Sequence, residues 1–380
     1  MTYSQGIAQM NASQPQPLFI GSEIYRRSSY GDAHPLRVPR VSTVTDLTRA
    51  LGWLPASQFR VSPKVKPAAL VGFHTAEYIA ALVAAEQAQV ASEVVRKRHW
   101  LGTPSNPVFP EMYARPATSA GAVMLAGELL AKGGTIYAPG GGTHHGMPDY
   151  ANGFCYLNDP VLAIQSLRRN GAQRVAYVDI DAHHPDGVEH GFADDPDTLL
   201  VSVHEENRWP RTGALTDRGV GQVWNLPVPR GMHDDEMALI RDDVILRLVA
   251  DFKPDAIVLQ CGADAVMEDP QSGLGLSNNA HWAVVAAVMG MAPRYLVLGG
   301  GGYNPWSVGR LWTGVWATLN GHDVPDVLPP EAQEVLRALE WTGQKRVKTP
   351  PLHWLTTLRD APRSGAVGDE VRLRVAALRA

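Results

Sequence analysis

The sequence predicts an α/β protein with a mostly parallel central sheet and helices on both faces. Two observations carry that expectation. Short β-branched, apolar runs, among them Arg174 to Ile180 and Ala256 to Gln260, alternate with stretches whose apolar residues recur at three and four. In addition, one run after another ends in glycine, histidine or aspartate. Ligands of such sheets bind beyond the carboxyl ends of the strands, so these endings predict one composite site.

Residues 1–17 are polar and rich in Gln, Ser and Asn, without the charged start and apolar core of a secretory leader. They predict a disordered tail ahead of one catalytic domain over 18–380. Leu18-Phe19-Ile20 is a first strand. Gly21 to Arg40 is a polar loop, where Pro35 of His34-Pro35-Leu36 blocks a helix. Helices are predicted over Asp46 to Leu51 and Ala76 to Val95. Trp100 to Met112, broken by Pro104, Pro107 and Pro110, is a shaped loop. Ala117 to Ala131 is a helix closed by Gly133-Gly134. Strand Thr135 to Ala138 then runs into Pro139-Gly140-Gly141-Gly142-Thr143-His144-His145.

Asp159-Pro160 starts a helix that Asn170-Gly171 stops. Arg174 to Ile180 is the next strand, and Leu199 to Val203 is a strand ending at His204-Glu205-Glu206. Helix Glu236 to Phe252 leads to strand Ala256 to Gln260 and Cys261-Gly262-Ala263-Asp264. Helix Asn278 to Met291 leads to strand Tyr295 to Leu298 and Gly299 to Tyr303. Beyond His322, proline-rich turns and Arg/Leu segments read as a tail wrapping the same domain.

Composition narrows the function classes. The chain has 380 residues, 45% hydrophobic, and a net charge of −4. Its one tight basic run, Arg96-Lys97-Arg98, reads as a solvated helix end, so no direct nucleic-acid contact is expected. No apolar run reaches the roughly 18 residues of a spanning helix, so no membrane partner is expected. The 2 cysteines, Cys155 and Cys261, do not make a disulfide framework in a chain this long. The expected location is the cytoplasm.

The densest chemistry lies in Asp179-Ile180-Asp181-Ala182-His183-His184-Pro185-Asp186. Asp181 and His183 are two apart, so on extended chain they project from one face. A carboxylate and an imidazole there supply two ligands of a catalytic metal site; the bland alternative is a polar loop of turns and caps. Asp264, at the end of a strand expected to neighbour theirs, is the best third ligand, although capping would also suit it. Three ligands and an open position fit zinc, which lowers the pKa of a bound water to about 7. His144-His145 suit a general base or acid near neutral pH, or else a surface pair. Asp179 and Asp186 remain to orient them, one carboxylate per histidine. Tyr303, after four glycines, suits an oxyanion donor or a core tyrosine.

Together these segments resemble the histone deacetylase superfamily, and more closely its bacterial acetoin-utilisation and deacetylase-like members. The matching motifs are His34-Pro35-Leu36, Gly140 to His145, Asn152-Gly153-Phe154-Cys155-Tyr156, Asp179 to His184, Gly262-Ala263-Asp264 and Gly299 to Tyr303. The resemblance implies a single-domain arginase/deacetylase-like fold. It implies one zinc ion on Asp181, His183 and Asp264, and a potassium ion near Asp179, Asp181 and Ser202. It also implies His145 as general base, His144 as an electrostatic partner, and the pairs His144–Asp179 and His145–Asp186. Tyr303 would polarise the acyl carbonyl, and Phe154 and Trp209 would wall the acyl channel. Gly153, Gly301, Gln271 and Ser105 complete the implied substrate site, and Arg40 matches an arginine beneath the metal.

Where arginase-like ureohydrolases carry extra carboxylate ligands, this sequence has Pro185 and Val266, so one metal is expected. Departures from the deacetylase pattern touch the substrate side. Ser105 stands where many members have an acid that grips peptide backbone. Pro185 removes an N–H beside Asp186, and Gln271 makes the channel rim more polar. The expected function is zinc-dependent hydrolysis of the N-acyl amide of acetyl-lysine or related acyl-lysine. The alternatives are hydrolysis of a small acylated amine such as an acetylpolyamine, or a non-catalytic acyl-ligand binding protein.

Overall fold

The computed structural model describes residues 15–341 and 349–379. Residues 1–14 of the expected tail lie outside the described residues. Pro17 is held, its carbonyl accepting from the Gln58 amide at 2.8 Å. The strands are β1 (Leu18–Gly21), β2 (Phe59–Val61), β3 (Gly134–Ala138), β4 (Val175–Asp179), β5 (Thr198–Glu205), β6 (Val223–Val228), β7 (Ala256–Gln260) and β8 (Arg294–Leu298). They form one 8-stranded sheet ordered β2-β1-β3-β8-β7-β4-β5-β6, every neighbouring pair parallel.

Successive residues of a strand face opposite ways, and the core divides accordingly. On β4, Ala176 and Val178 join the cluster that holds Val44, Leu47, Val285, Trp312 and Val315. Val175 and Tyr177 join the opposite cluster, with Leu82, Val123, Leu162 and Ile164. Helices therefore cover both faces, and the inner strands are apolar on both sides.

The strands absent from the sequence-based prediction are β2 and β6, the two edges of the sheet. β2 is three residues long and ends in exposed Val61, which leaves little apolar pattern to read. β6 contains Pro227, whose missing N–H is tolerated at an edge and argues against a strand by composition. Helix bounds moved for local reasons. A short helix, Ile24–Arg27, interrupts the expected loop from Gly21 to Arg40, and the helix expected over Asp46 to Leu51 spans Val41–Ala50, burying Val41, Val44 and Leu47. The expected Ala76 to Val95 helix is two, Ala76–Ala88 and Glu93–His99. Gln89 breaks it with φ 52°, and the Ser92 side chain caps the second by accepting from Val95 N–H. Pro35 does not bar a helix but opens a short 3-10 turn, Pro35–Arg37. At Asp159–Arg169 the capping side chain is Asn158, which frees Asp159 to turn inward. The run expected from Glu236 begins at Asp234 and carries a π-helical segment, Arg241–Ile245.

The segment after His322 folds back on the sheet's helices. Arg310, fully buried, donates to Asp360 Oδ1 at 2.5 Å and to the Thr357 carbonyl at 2.7 Å. Asp360 also accepts from the backbone N–H of Asn278 at 3.1 Å. Asp360→Ala would strand the buried guanidinium, and the expected loss is about 3–5 kcal/mol. Chemical denaturation checks this. A loss below about 1 kcal/mol would mean that the pair does not pin the C-terminal segment.

Candidate active site

The strands that deliver the site are neighbours in the sheet, β3-β8-β7-β4-β5, so their carboxyl ends open on one crevice. Asp179 ends β4 opposite Gln260 of β7 and Ser202 of β5. Past β4 the chain turns through Asp181 and His183 into a helix at Asp186–Phe192. Past β7, Asp264 sits in a 3-10 turn, Ala263–Ala265. Gly299 to Tyr303 follow β8, and Gly140 to His145 follow β3.

Asp181, His183 and Asp264 come together as expected, their donor atoms all within 4.8 Å of one another and all buried. His183 Nδ1 lies 3.2 Å from Asp181 Oδ1 and 3.0 Å from Asp264 Oδ2. The outer oxygens are held by backbone, Asp181 Oδ2 by Gly301 N–H at 2.7 Å and Asp264 Oδ1 by Ala182 N–H at 3.0 Å. Only glycine allows this approach. A Cβ on Gly301 would lie 1.9 Å from Asp264 Oδ2. Gly301, expected to face substrate, thus spends its N–H on orienting a carboxylate.

Charge in this cluster is unbalanced. Burial, then repulsion from Asp181, pushes Asp264 up, while His144 and His183 overcome burial and hold Asp181 well below the usual carboxylate range. Burial opposes charging His183, but Asp264 and Asp181 raise it to about 10. Two buried carboxylates turned on one imidazole nitrogen are costly without a cation among them. Two carboxylate oxygens and one Nδ1 are a donor set that a catalytic zinc takes, so the residues fit such an ion. Pro185 and the buried Val266 offer no further donor.

Beside the cluster stands a pair of histidines, each backed by a carboxylate. His144 Nδ1 lies 2.8 Å from Asp179 Oδ2, and His145 Nδ1 lies 2.7 Å from Asp186 Oδ1. Their Nε2 atoms are 2.9 Å apart, so one of them must carry the proton between them. Burial opposes charge on His144, but Asp179, Asp181 and Asp186 outweigh it and raise it to about 9. Burial, then charged His144, pushes His145 down to about 4. The network thus assigns a charged His144 and a neutral His145 whose Nδ1 donates to Asp186.

Supporting residues were not singled out from the sequence. Tyr177 donates to Asp179 Oδ2 at 2.6 Å and to Gln260 Oε1 at 2.8 Å, and Asn152 donates to Asp186 Oδ2 at 3.0 Å. With the Gly187 N–H at 3.0 Å, Asp186 stays fully bonded despite Pro185. A polar residue closing apolar β7 was the available sign for Gln260. Asp269 accepts the Tyr303 N–H at 2.6 Å and the Gln271 N–H at 2.8 Å. Burial and nearby Asp264 push it up to about 8.

Tyr303 lines an inner cavity of about 50 Å³ with His144, His145 and the Asp-His-Asp cluster. Burial, then Asp264 and Asp181, raise its phenol well above the usual range, so it stays an O–H donor. Arg40 lines the same cavity, donating to the Gly300 carbonyl at 2.6 Å above Trp312. Outward lies a groove of about 820 Å³ lined by Ser105, Gly153, Phe154, Trp209 and Gln271. Trp209, 43% exposed, stands edge-on to His145 at 4.6 Å, and Phe154 faces Tyr303 at 6.0 Å. Gly153, at φ 52°, leaves room for Trp209; a Cβ there would lie 2.3 Å from its ring. Ser105 is exposed at the rim, where its carbonyl lies 3.2 Å from His34 Nε2. Both cysteines are buried and free. Among the described residues no helix is long and apolar enough to cross a membrane.

Comparison with known proteins agrees with this arrangement. Residues 34–319 match the histone deacetylase domain. The chain is 31% identical over 328 residues to the acetoin utilization protein AcuC of Bacillus subtilis (strain 168), covering 83% of this chain and 84% of that one. It is 34% identical over 309 residues to histone deacetylase 3 of Oryza sativa subsp. japonica, covering 79% of this chain and 60% of the rice protein. The crystal structure of an HDAC homolog from Aquifex aeolicus superposes with a TM-score of 0.91 at 32% identity, over 96% of this chain and 100% of that chain. With the family model spanning well over half its length, the chain belongs to the histone deacetylase family.

Proposed function

We propose that the chain is a zinc-dependent deacylase that hydrolyses the N-acyl amide of acetyl-lysine or a related acyl-lysine. One observation carries the reading: a neutral, carboxylate-backed histidine faces an Asp-His-Asp metal cluster and a tyrosine hydroxyl in one buried cavity. A single zinc on Asp181, His183 and Asp264 would supply Lewis acidity toward the acyl carbonyl and a water. Potassium beside Asp179, Asp181 and Ser202 is part of the same proposal, as is one catalytic domain over 18–380.

The protein's own groups carry the proton work. His145 takes the proton from the attacking water, with Asp186 holding its ring and tautomer. Charged His144 offsets negative charge as it develops. Tyr303 donates its O–H to the carbonyl oxygen that becomes an oxyanion. The imidazole pair then returns a proton to the leaving nitrogen. Phe154 and Trp209 hold the aliphatic stem of the acylated side chain and shield it from water.

The test is acetate release from acetyl-lysine peptides and from acetylpolyamines by chelated and zinc-restored protein. Turnover should vanish with chelation and return with zinc. Undiminished release from metal-free protein would overturn the reading, and turnover confined to acetylpolyamines would assign the small-amine alternative. Tyr303→Phe should lower kcat about 10²–10³-fold with little change in KM, as for loss of an oxyanion donor. Wild-type kcat in that variant would remove Tyr303 from the chemistry.

A further inference from the structure

We infer that the groove outside the aromatic walls recognises a carboxylate on the substrate, through Arg211 and Arg230. The inference rests on the deacylase reading and names the substrate class it serves. Three arginines, Arg208, Arg211 and Arg230, line this groove with two glutamates, Glu205 and Glu206.

Both glutamates are already engaged. Glu205 is buried; it accepts from Arg208 Nε at 2.7 Å and Nη2 at 3.0 Å, and from Gly273 N–H at 2.7 Å. Glu206 accepts at 2.9 Å from Nη2 of Arg374, a residue outside the groove that it shares with Glu370. Arg211 and Arg230 are exposed, and among the described residues neither pairs with a carboxylate. The same groove is lined by neutral Ser105 and Gln271.

The neighbouring backbone sets where both arginines enter the groove. Arg211 closes a turn through its N–H to the Arg208 carbonyl at 2.8 Å, two residues past Trp209. Arg230 lies across Gly273, where a Cβ would come within 2.9 Å of its guanidinium carbon. A guanidinium offers parallel N–H donors that match a carboxylate, and two arginines without a carboxylate partner in a cleft attract a ligand of opposite charge. Such a groove disfavours polycationic acylamines and lysine-rich segments. It suits an acyl amide whose carboxylate stays outside the channel. That carboxylate can be an acidic side chain flanking acyl-lysine in a peptide, or the α-carboxylate of a free acyl-amino acid.

The zinc-loaded full chain would be assayed on acetyl-lysine peptides flanked by Glu, Gln or Lys, and on free Nε-acetyl-lysine and its carboxamide. The expected kcat/KM order is Glu over Gln over Lys, about 10-fold between the extremes and carried by KM. Added salt should compress the order, and the Arg211→Glu, Arg230→Glu double variant should reverse it. A faster free amino acid than its carboxamide assigns the α-carboxylate as the source. A Glu-peptide preference without that difference assigns the flanking side chain. Equal kcat/KM across all substrates, or an order unchanged in the double variant, overturns the inference while leaving deacylation intact. If no substrate turns over, the deacylase reading fails. Fluorescence anisotropy of the labelled Glu and Lys peptides then decides the inference alone: tighter binding of Glu supports it and equal binding overturns it.

Discussion

If the proposed zinc site is right, His145→Ala should lower kcat by about 10²–10⁴-fold while zinc binding is kept. The imidazole makes no contact that the ligand set needs; its Nδ1 is committed to Asp186 at 2.7 Å and its Nε2 faces His144. Loss of the ring removes the proton acceptor and leaves Asp181, His183 and Asp264 in place. Stopped assays with metal analysis of the same sample check both halves. A zinc-loaded variant with wild-type kcat would sink the general-base role. The pH profile gives a second check. His145 is neutral above about pH 4 and protonated below it, because burial and charged His144 oppose its charge. The acid limb of kcat/KM should therefore lie nearer 4 than the 6.5 of an ordinary histidine. A limb at 6.5 would show that another group governs it.

Asp264→Asn should cost metal affinity first and activity as a consequence. The amide keeps the shape and can still accept from Ala182 N–H, but it loses the anionic donor. Mutations behind a ligand cost about 10–100-fold in affinity, and loss of a ligand itself should exceed that. Stability offers a readout independent of turnover. A ligand that binds only the folded state raises the midpoint by mass action. Zinc should therefore raise the wild-type Tm and leave the variant's nearly unmoved. Without metal the variant should be at least as stable as wild type, since one of two mutually repelling buried carboxylates is gone. A variant with unchanged zinc-dependent Tm would exclude Asp264 as a ligand.

The chemistry was legible in the chain because its geometry is local. Asp181 and His183 are two residues apart at a strand exit, so the pleat places them on one face whatever surrounds them. Buried inner strands such as β7 also announce themselves, since both faces must be apolar. That Ser105 is neutral and that Pro185 and Val266 offer no donor side chain is plain from identity, while the significance of those positions came from the resemblance to known families.

Long-range packing settled the rest. The pairs His144–Asp179 and His145–Asp186, implied beforehand only by the resemblance, depend on β3, β8, β7 and β4 lying in that order, as do the roles of Tyr177 and Gln260 in holding Asp179 and His144. The edge strand β2 escaped because three half-buried or exposed residues leave little pattern, and β6, itself buried, because Asn225 and Pro227 interrupt its apolar run. Nothing local marks Asp269; the fold sets the Tyr303 N–H against it. The rim arginines are ordinary in sequence. They became a charge surplus once Glu205 turned to Arg208 and Gly273, and Glu206 to Arg374. A residue's own chemistry travels with its place in the chain. Its partners, and with them its charge and purpose, exist only after segments distant in sequence have met.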